Sequence, residues 1–381
     1  MDRRNFIRIA GGGAVFAATG CSSELPPGAL AAWQAPGAGE TDVRRWALSH
    51  ALLAPHSHNL QSWRVDLRQA GEVLLYCDLE RLLPETDPMG RQILMSQGTF
   101  LELLEMAARE RGHRAEIALF PQGVFDAQRL DGRPVARIRF RPDTGVPRDP
   151  LFAQVLRRRT NREAYEERRP DAAALEAIAQ AGGAPGLRTG FSTGNAAELE
   201  QHRRIALQAW RIELTTPRTI LESYRWLRIG PTEIERHRDG IALNQPVLRL
   251  IDALGLFDRR KAPAPDDRFT RLQIADFERK LAATPAFFWQ VSEGNTRELQ
   301  VRSGRAYVRA QLAATAHGLS MQPLSQALQE YAEQESTYAG IHALLQAARP
   351  SQTVQMWTRL GYGPAIAPAP RRGLQAHLVQ A

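Results

Sequence analysis

GTFLELLEMAARERG, from Gly98 to Gly112, and GRAYVRAQLAATAHG, from Gly304 to Gly318, set the plan of this chain. In the first, Phe100, Leu103, Leu104, Ala107 and Ala108 recur at helical spacing, so one face of the segment is apolar. Both stretches begin at glycine, run through alanine and leucine, and end in a basic residue followed by glycine. The equal spans raise an internal duplication. Helices commonly end at glycine, so spacing alone leaves duplication and coincidence both open.

Working outward, a first lobe is expected over residues 41–149. Arg44–Leu53 has a helical pattern, Trp63–Leu67 and Val73–Leu79 have strand patterns, and Val135–Phe140 alternates like a half-buried strand. A second lobe is expected over 150–381. It has helical patterns at Ala172–Ala181, Arg203–Leu214 and Thr270–Lys280, an aromatic-rich strand at Ala286–Val291, and a helix over Gly304–His317. The stretch 217–267 has no counterpart in the first lobe. Pro231, Pro246, Pro263 and Pro265 lie within it, and it is read as an insertion.

The chain has 381 residues and a formal charge of +8. Lysine stands only at 261 and 280, so arginine carries nearly all the positive charge. The arginines are spread along the chain, whereas nucleic-acid binders gather theirs into a patch; no nucleic-acid partner is expected. Cys21 and Cys77 cannot form a disulfide framework or a zinc site. His56 and His58 lack a third ligand at suitable spacing, so no metal is expected. No glycine-rich dinucleotide fingerprint follows a strand.

Residues 1–21 have a charged start and a short apolar run from Ile9 to Thr19, the pattern of a signal peptide. Gly11, Gly12 and Gly13 weaken the alternative of a buried helix. Arg3-Arg4-Asn5-Phe6-Ile7 resembles the twin-arginine export motif, with Asp2 where Ser or Thr is usual. Ala18-Thr19-Gly20-Cys21 resembles a lipoprotein cleavage box, which would make Cys21 a lipidated first residue. Residues 22–40, rich in Pro, Gly and Ala, are expected to form a flexible tether. The implied location is the periplasm, with a membrane anchor only through Cys21.

Three separated segments share one further resemblance. His56-Ser57-His58-Asn59-Leu60-Gln61-Ser62-Trp63 is similar to the nitroreductase segment Asn-x-Gln-Pro-Trp, with Ser62 in place of Pro. Arg158-Arg159-Thr160-Asn161-Arg162 resembles the Arg-Arg-Ser-x-Arg opener of that family. Leu360-Gly361-Tyr362-Gly363 with Pro370-Arg371-Arg372 resembles its Gly-Tyr and terminal basic pair. Gly318-Leu319 through Pro323-Leu324-Ser325-Gln326 adds a looser match. The opener here starts the second lobe, not the chain. That order resembles the Acg-type subgroup of fused pseudo-dimers. The resemblance implies an α+β, nitroreductase-like fold of two tandem lobes forming an internal pseudo-dimer, with mixed or antiparallel sheets flanked by helices. It also implies a monomer with one complete FMN site.

Arginine forks match phosphate oxygens and stay charged, so the resemblance assigns Arg158, Thr160, Arg371 and Arg372 to a clamp on the FMN phosphate. Arg162 or Asn59 would stabilise the negative charge of reduced flavin. Ser57, His58, Asn59 and Gln61 would serve the ribityl chain or the pyrimidine edge, although Asn59 and Gln61 also suit a role in tying down a loop. Leu324 and Ser325 would meet flavin through their backbone, and Trp63 is read as core. No catalytic side chain is assigned. The expected function is an FMN oxidoreductase passing electrons from a small-molecule donor to a planar acceptor such as a nitroaromatic or quinone. The alternative is a protein that sequesters FMN under a lid, formed by the insertion, with little turnover.

Overall fold

The computed structural model describes residues 24–264 and 266–379. The calls on the export signal and Cys21 lie outside them.

The first lobe opens with α1 (Val43–Ala51), followed by strands β1 (Trp63–Asp66) and β2 (Glu72–Cys77). The helix α2 (Arg91–Glu110) leads to β3 (His113–Leu119) and β4 (Pro134–Pro142). The second lobe repeats this sequence of elements: α3 (Ala172–Ala181), β5 (Leu187–Thr193), β8 (Ala286–Glu293), α9 (Arg297–Ala316), β9 (Ser320–Pro323) and β10 (Gln352–Gly361). Each lobe forms a four-stranded antiparallel sheet, ordered β1-β2-β4-β3 in the first and β5-β8-β10-β9 in the second. Element for element, these are the same order, so the topology carries the duplication that spacing left open.

The long helices α2 and α9 pack against each other between the sheets. Gly98 and Gly304 do not start them, as the apolar pattern implied; each is the eighth residue of its helix. The absent side chains let the backbones touch. The separation in sequence that relates Gly98 to Gly304 also relates Arg91 to Arg297, and these arginines cross between lobes reciprocally. Arg91 donates to the carbonyls of Leu328 and Val354, while Arg297 donates to those of Met89 and Asp126. Val301, Val308 and Leu312 of α9 lie in the first lobe's core beside Trp63, Phe100 and Leu104. Trp63 is fully buried, as read from sequence.

Between β5 and β8 runs a helical insertion that is wider than residues 217–267. It comprises α4 (Ala196–Thr215), α5 (Pro217–Arg225), α6 (Gly230–His237), α7 (Pro246–Ala253) and α8 (Arg268–Ala282), with a small parallel sheet of β6 (Leu227–Ile229) and β7 (Ile241–Leu243). Pro217, Pro231 and Pro246 sit in first helical turns, where a missing N–H costs nothing. A last helix, α10 (Glu335–Leu344), precedes β10.

Two chain ends depart from the expected plan. Pro27–Trp33 is not a free tether: it forms a 3-10 helix whose Trp33 is buried and donates from Nε1 to the Ala369 carbonyl at 2.8 Å. The C-terminal tail leaves the second lobe for the first, where Val379 N donates to Val65 O at 2.9 Å and Leu378 bridges Val65.

Candidate functional site

A cavity of about 1120 Å³ lies where the two lobes and the insertion meet. Its floor is the α2–α9 seam, which contributes Gln92, Met95, Ser96, Thr99, Gly304 and Tyr307. The insertion forms its roof.

Of the residues chosen from sequence, Ser57, His58, Thr160, Arg162 and Ser325 line this cavity. Thr160 and Arg162 do so together because the segment runs beside β9, with Thr160 bridged to Met321. Extended backbone points alternate side chains to one face. Asn161, between them, turns the other way and donates to Ser320 Oγ at 3.2 Å and Pro364 O at 2.8 Å. Among the described residues, Arg162 has no hydrogen-bond or ion-pair partner. Burial lowers its pKa. Tyr307 Oη and Trp210 Nε1, both on the cavity wall, are buried without a partner among the described residues. The Arg162 side chain stays open to the cavity space, and two orphaned buried donors are costly unless a ligand completes them.

The other choices do not line the cavity. Asn59 Nδ2 donates to the carbonyls of Gly240 and Pro370, both at 3.1 Å, and Asn59 Oδ1 accepts from Arg371. Gln61, fully buried, donates to Arg238 O at 2.9 Å and accepts from Arg372 N at 2.9 Å. These two residues fasten their loop to the insertion and the C-terminal tail. His58, Asn59 and Gln61 all have positive φ, at 48°, 54° and 54°, a conformation that persists only when its surroundings enforce it.

The four-residue phosphate clamp is not assembled. Arg371 spends its donors on the carbonyls of Leu52, Leu53 and Ala54 and on Asn59. Arg158 joins it at Leu53 O, at 3.0 Å, and also donates to Gln311. Leu52 is the C-cap of α1, whose negative end attracts cations, and Leu53 and Ala54 follow it directly. Arg372 lies apart from Arg158, on Gln61 O. Leu324 is packed in the core, its N–H given to Trp357 O.

Sequence reading missed the α2 contributions. Their signal was the helix itself: Gln92, Met95, Ser96 and Thr99 recur at helical spacing one turn ahead of the apolar run. It also missed Glu213, a buried cavity residue whose carboxylate accepts from Gln329 Nε2 at 2.8 Å. Burial pushes its pKa up to about 7. His56 and His58 are held neutral, their pKa values lowered by burial to about 3 and about 4. His58 Nε2 and Ser223 Oγ of the roof lie 3.1 Å apart.

Sequence reading found no Gly-x-Ser-x-Gly elbow and set a serine hydrolase aside on that ground; Gly190-Phe191-Ser192-Thr193-Gly194 does have that spacing. Ser192 Oγ is 2.7 Å from His202 Nε2. The geometry does not make a triad. Glu198 engages Ser192 instead of His202 Nδ1, which has no partner among the described residues. Ser192 and His202 are buried and do not line the seam cavity. A triad needs the acid on the histidine and an exposed nucleophile.

No protein-family profile matches the chain. Rv3131 of Mycobacterium tuberculosis H37Rv, which carries the name of an NAD(P)H nitroreductase, is 26% identical over 347 residues, covering 88% of this chain and 90% of that one. Another protein so named, acg of the same strain, is 36% identical over 81 residues; that match spans only 24% of its length and 21% of this chain. Among solved structures, the FMN-dependent nitroreductase NfnB of Mycobacterium smegmatis in complex with NADPH matches 61% of this chain and 98% of its own, at 19% identity and a TM-score of 0.37. The nitroreductase of Bacteroides fragilis with bound FMN matches at 16% identity and a TM-score of 0.35.

Proposed function

We propose that this chain is a nitroreductase-like flavoprotein that holds one FMN in the seam cavity and uses it as an oxidoreductase. The observation that carries the reading is Arg162, a guanidinium on the cavity wall that is open to the cavity space and has no protein partner among the described residues. It supports a ligand with negative charge. The similarity to Rv3131 along most of the chain supports the family, and the repeated sheet order supports the fused two-lobe plan.

The residues present fit the cofactor. Arg162 would hold its negative charge, with Ser57, His58, Thr160 and Ser325 as neighbouring polar groups. Tyr307 Oη and Trp210 Nε1 stand ready as donors. FMN, when bound, supplies hydride transfer. The chain's part is to fix the ring, to cover it with the insertion, and to keep His56 and His58 uncharged by burial, with Arg162 acting on His58 in the same direction. Fixed donors in a water-poor site act more strongly than in bulk water.

One site per chain follows from the broken symmetry. Thr99 lines the cavity, and its counterpart in α9 is Arg305. Arg305 is ion-paired with Glu102 and Glu105, and Arg309 with Glu102 and Asp149, so charged side chains occupy the symmetry-related position. The enzyme reading is preferred to sequestration because the cavity reaches open surface at Leu256, Phe269 and Leu272, which leaves an acceptor a way in. The acceptor would be a small planar molecule and the donor a small-molecule reductant. Purified protein should show the flavin absorption bands and release FMN on denaturation. A colourless protein that takes up no FMN on reconstitution overturns the reading.

Export by the twin-arginine route, into the periplasm, is part of this proposal. Its support is Arg3-Arg4-Asn5-Phe6-Ile7. Replacing Arg3 and Arg4 together with lysine should strand the protein in the cytoplasm; normal export of that variant sinks the claim. Loss of fatty-acid labelling in Cys21→Ala tests the anchor.

A further inference from the structure

The seam cavity has two ends of different chemistry. Near the floor, Ser57, Thr160, Arg162, Ser325 and Gln355 present polar groups. Beneath the roof, the wall is Leu227, Ile241, Leu248, Ile251 and Phe257, drawn from β6, β7, α7 and the loop after it. Of the charged residues on that side, Asp276 and Lys280 pair with each other at 2.8 Å. Asp258 pairs with Arg260, Asp267 caps α8 through Thr270 N, and Lys261 is exposed. Like Lys261, Gln273 stays exposed to solvent.

An apolar wall lining open space lacks the contacts that a packed core provides. Apolar cavities stay dry and take apolar guests. Leu256, Phe269 and Leu272 line the same cavity, yet they are 47%, 44% and 53% exposed. They stand where α7 has ended and α8 begins, so the apolar end reaches open surface. Contiguous exposed apolar residues of this kind mark a binding site.

We infer that the electron acceptor carries an apolar chain, which lies under the α7–α8 part of the roof while its ring reaches the polar end beside Arg162. The inference rests on the flavin reading for the ring and on the cavity wall for the chain. An alkyl-substituted quinone has this chemistry: a planar polar head and a tail that can protrude past Leu256, Phe269 and Leu272. A short planar nitroaromatic fills only the polar end.

The test compares two benzoquinones with the same ring substituents, one bearing a decyl chain and one a methyl group. Binding to the purified holoprotein is measured by calorimetry. Each methylene that enters should tighten binding roughly fourfold. The decyl compound should therefore bind at least about a hundredfold tighter, even with only part of its chain inside. Ile251→Gln and, separately, the rim variant Leu272→Ser should shrink that ratio while leaving methyl-quinone affinity and flavin content unchanged. Equal affinity for the two quinones, or a ratio untouched in both variants, overturns the inference. A protein lacking flavin that still prefers the decyl compound refutes the flavin reading and upholds the apolar compartment.

Discussion

Gly98 and Gly304 are reciprocal contacts. A Cβ on Gly98 would stand 2.0 Å from the Val301 carbonyl oxygen, and a Cβ on Gly304 would stand 1.8 Å from the Met95 carbonyl oxygen. The positions exchange under the relation that superimposes α2 on α9, so two helices of one chain cross like two copies of one helix. Gly98→Ala and Gly304→Ala should each force the helices apart, at a cost of about 1–3 kcal/mol, the range for an overfilled core. Gly340→Ala is the control: the nearest atom to its Cβ, in Ile205, is 3.7 Å away, and Ala favours the helix by up to about 1 kcal/mol. Denaturant midpoints should fall for the first two and hold or rise for the third.

Arg371 is expected to act on folding and not on the ligand. Its guanidinium satisfies the carbonyls at the end of α1 and fixes Asn59. Arg371→Ala leaves several buried acceptors bare, each costing about 1–3 kcal/mol, so the total loss should be about 3 kcal/mol or more. FMN and riboflavin affinities should move in parallel, because the phosphate is not involved. A selective loss of FMN binding in fluorescence titrations would instead restore Arg371 to a phosphate clamp.

Glu213 should make stability depend on pH. Burial raises its pKa to about 7 from 4.5, against the hydrogen bond from Gln329. The folded state thus holds the proton more tightly than the unfolded state. The stabilisation is complete below pH 4.5 and is lost as pH rises through 7. Relative to Glu213→Gln, wild type should lose on the order of 2–3 kcal/mol between pH 4.5 and pH 8. Parallel stability–pH curves for the two proteins would show that Glu213 ionises normally.

The chain should be monomeric. Its lobes already bury α2 against α9, and Arg91 and Arg297 reach across reciprocally. Light scattering on the mature protein at low micromolar concentration should give the mass of a single chain. A dimer that survives dilution until it unfolds would contradict the pseudo-dimer account.

Much of this was legible in the sequence. The helix at Ala172–Ala181 falls where composition puts it, and the strands around Val73, Val135 and Ala286 follow from alternation and aromatic content. The Asn59–Gln61 and Arg158–Arg162 segments do converge on one region. What sequence could not give was which way each side chain turns. Asn59 and Gln61 are in the left-handed region and bond to backbone, an outcome set by partners more than 170 positions away. Arg158 and Arg371 answer to the end of α1, a tertiary contact with no local trace. The roof was read as a proline-punctuated insertion, but Pro217, Pro231 and Pro246 sit in helix starts, where they do not break structure.

The central claim is one FMN per chain, held through Arg162. Apo-protein, wild type and Arg162→Ala, should be titrated with FMN by fluorescence quenching beside a thermal melt. Hydrogen bonds to charged groups contribute about 1.5–3 kcal/mol. Wild type should therefore saturate at one FMN per chain, and Arg162→Ala should bind about tenfold to a hundredfold more weakly with its melting temperature unchanged. Two FMN per chain, or equal affinity in the variant, would contradict the account.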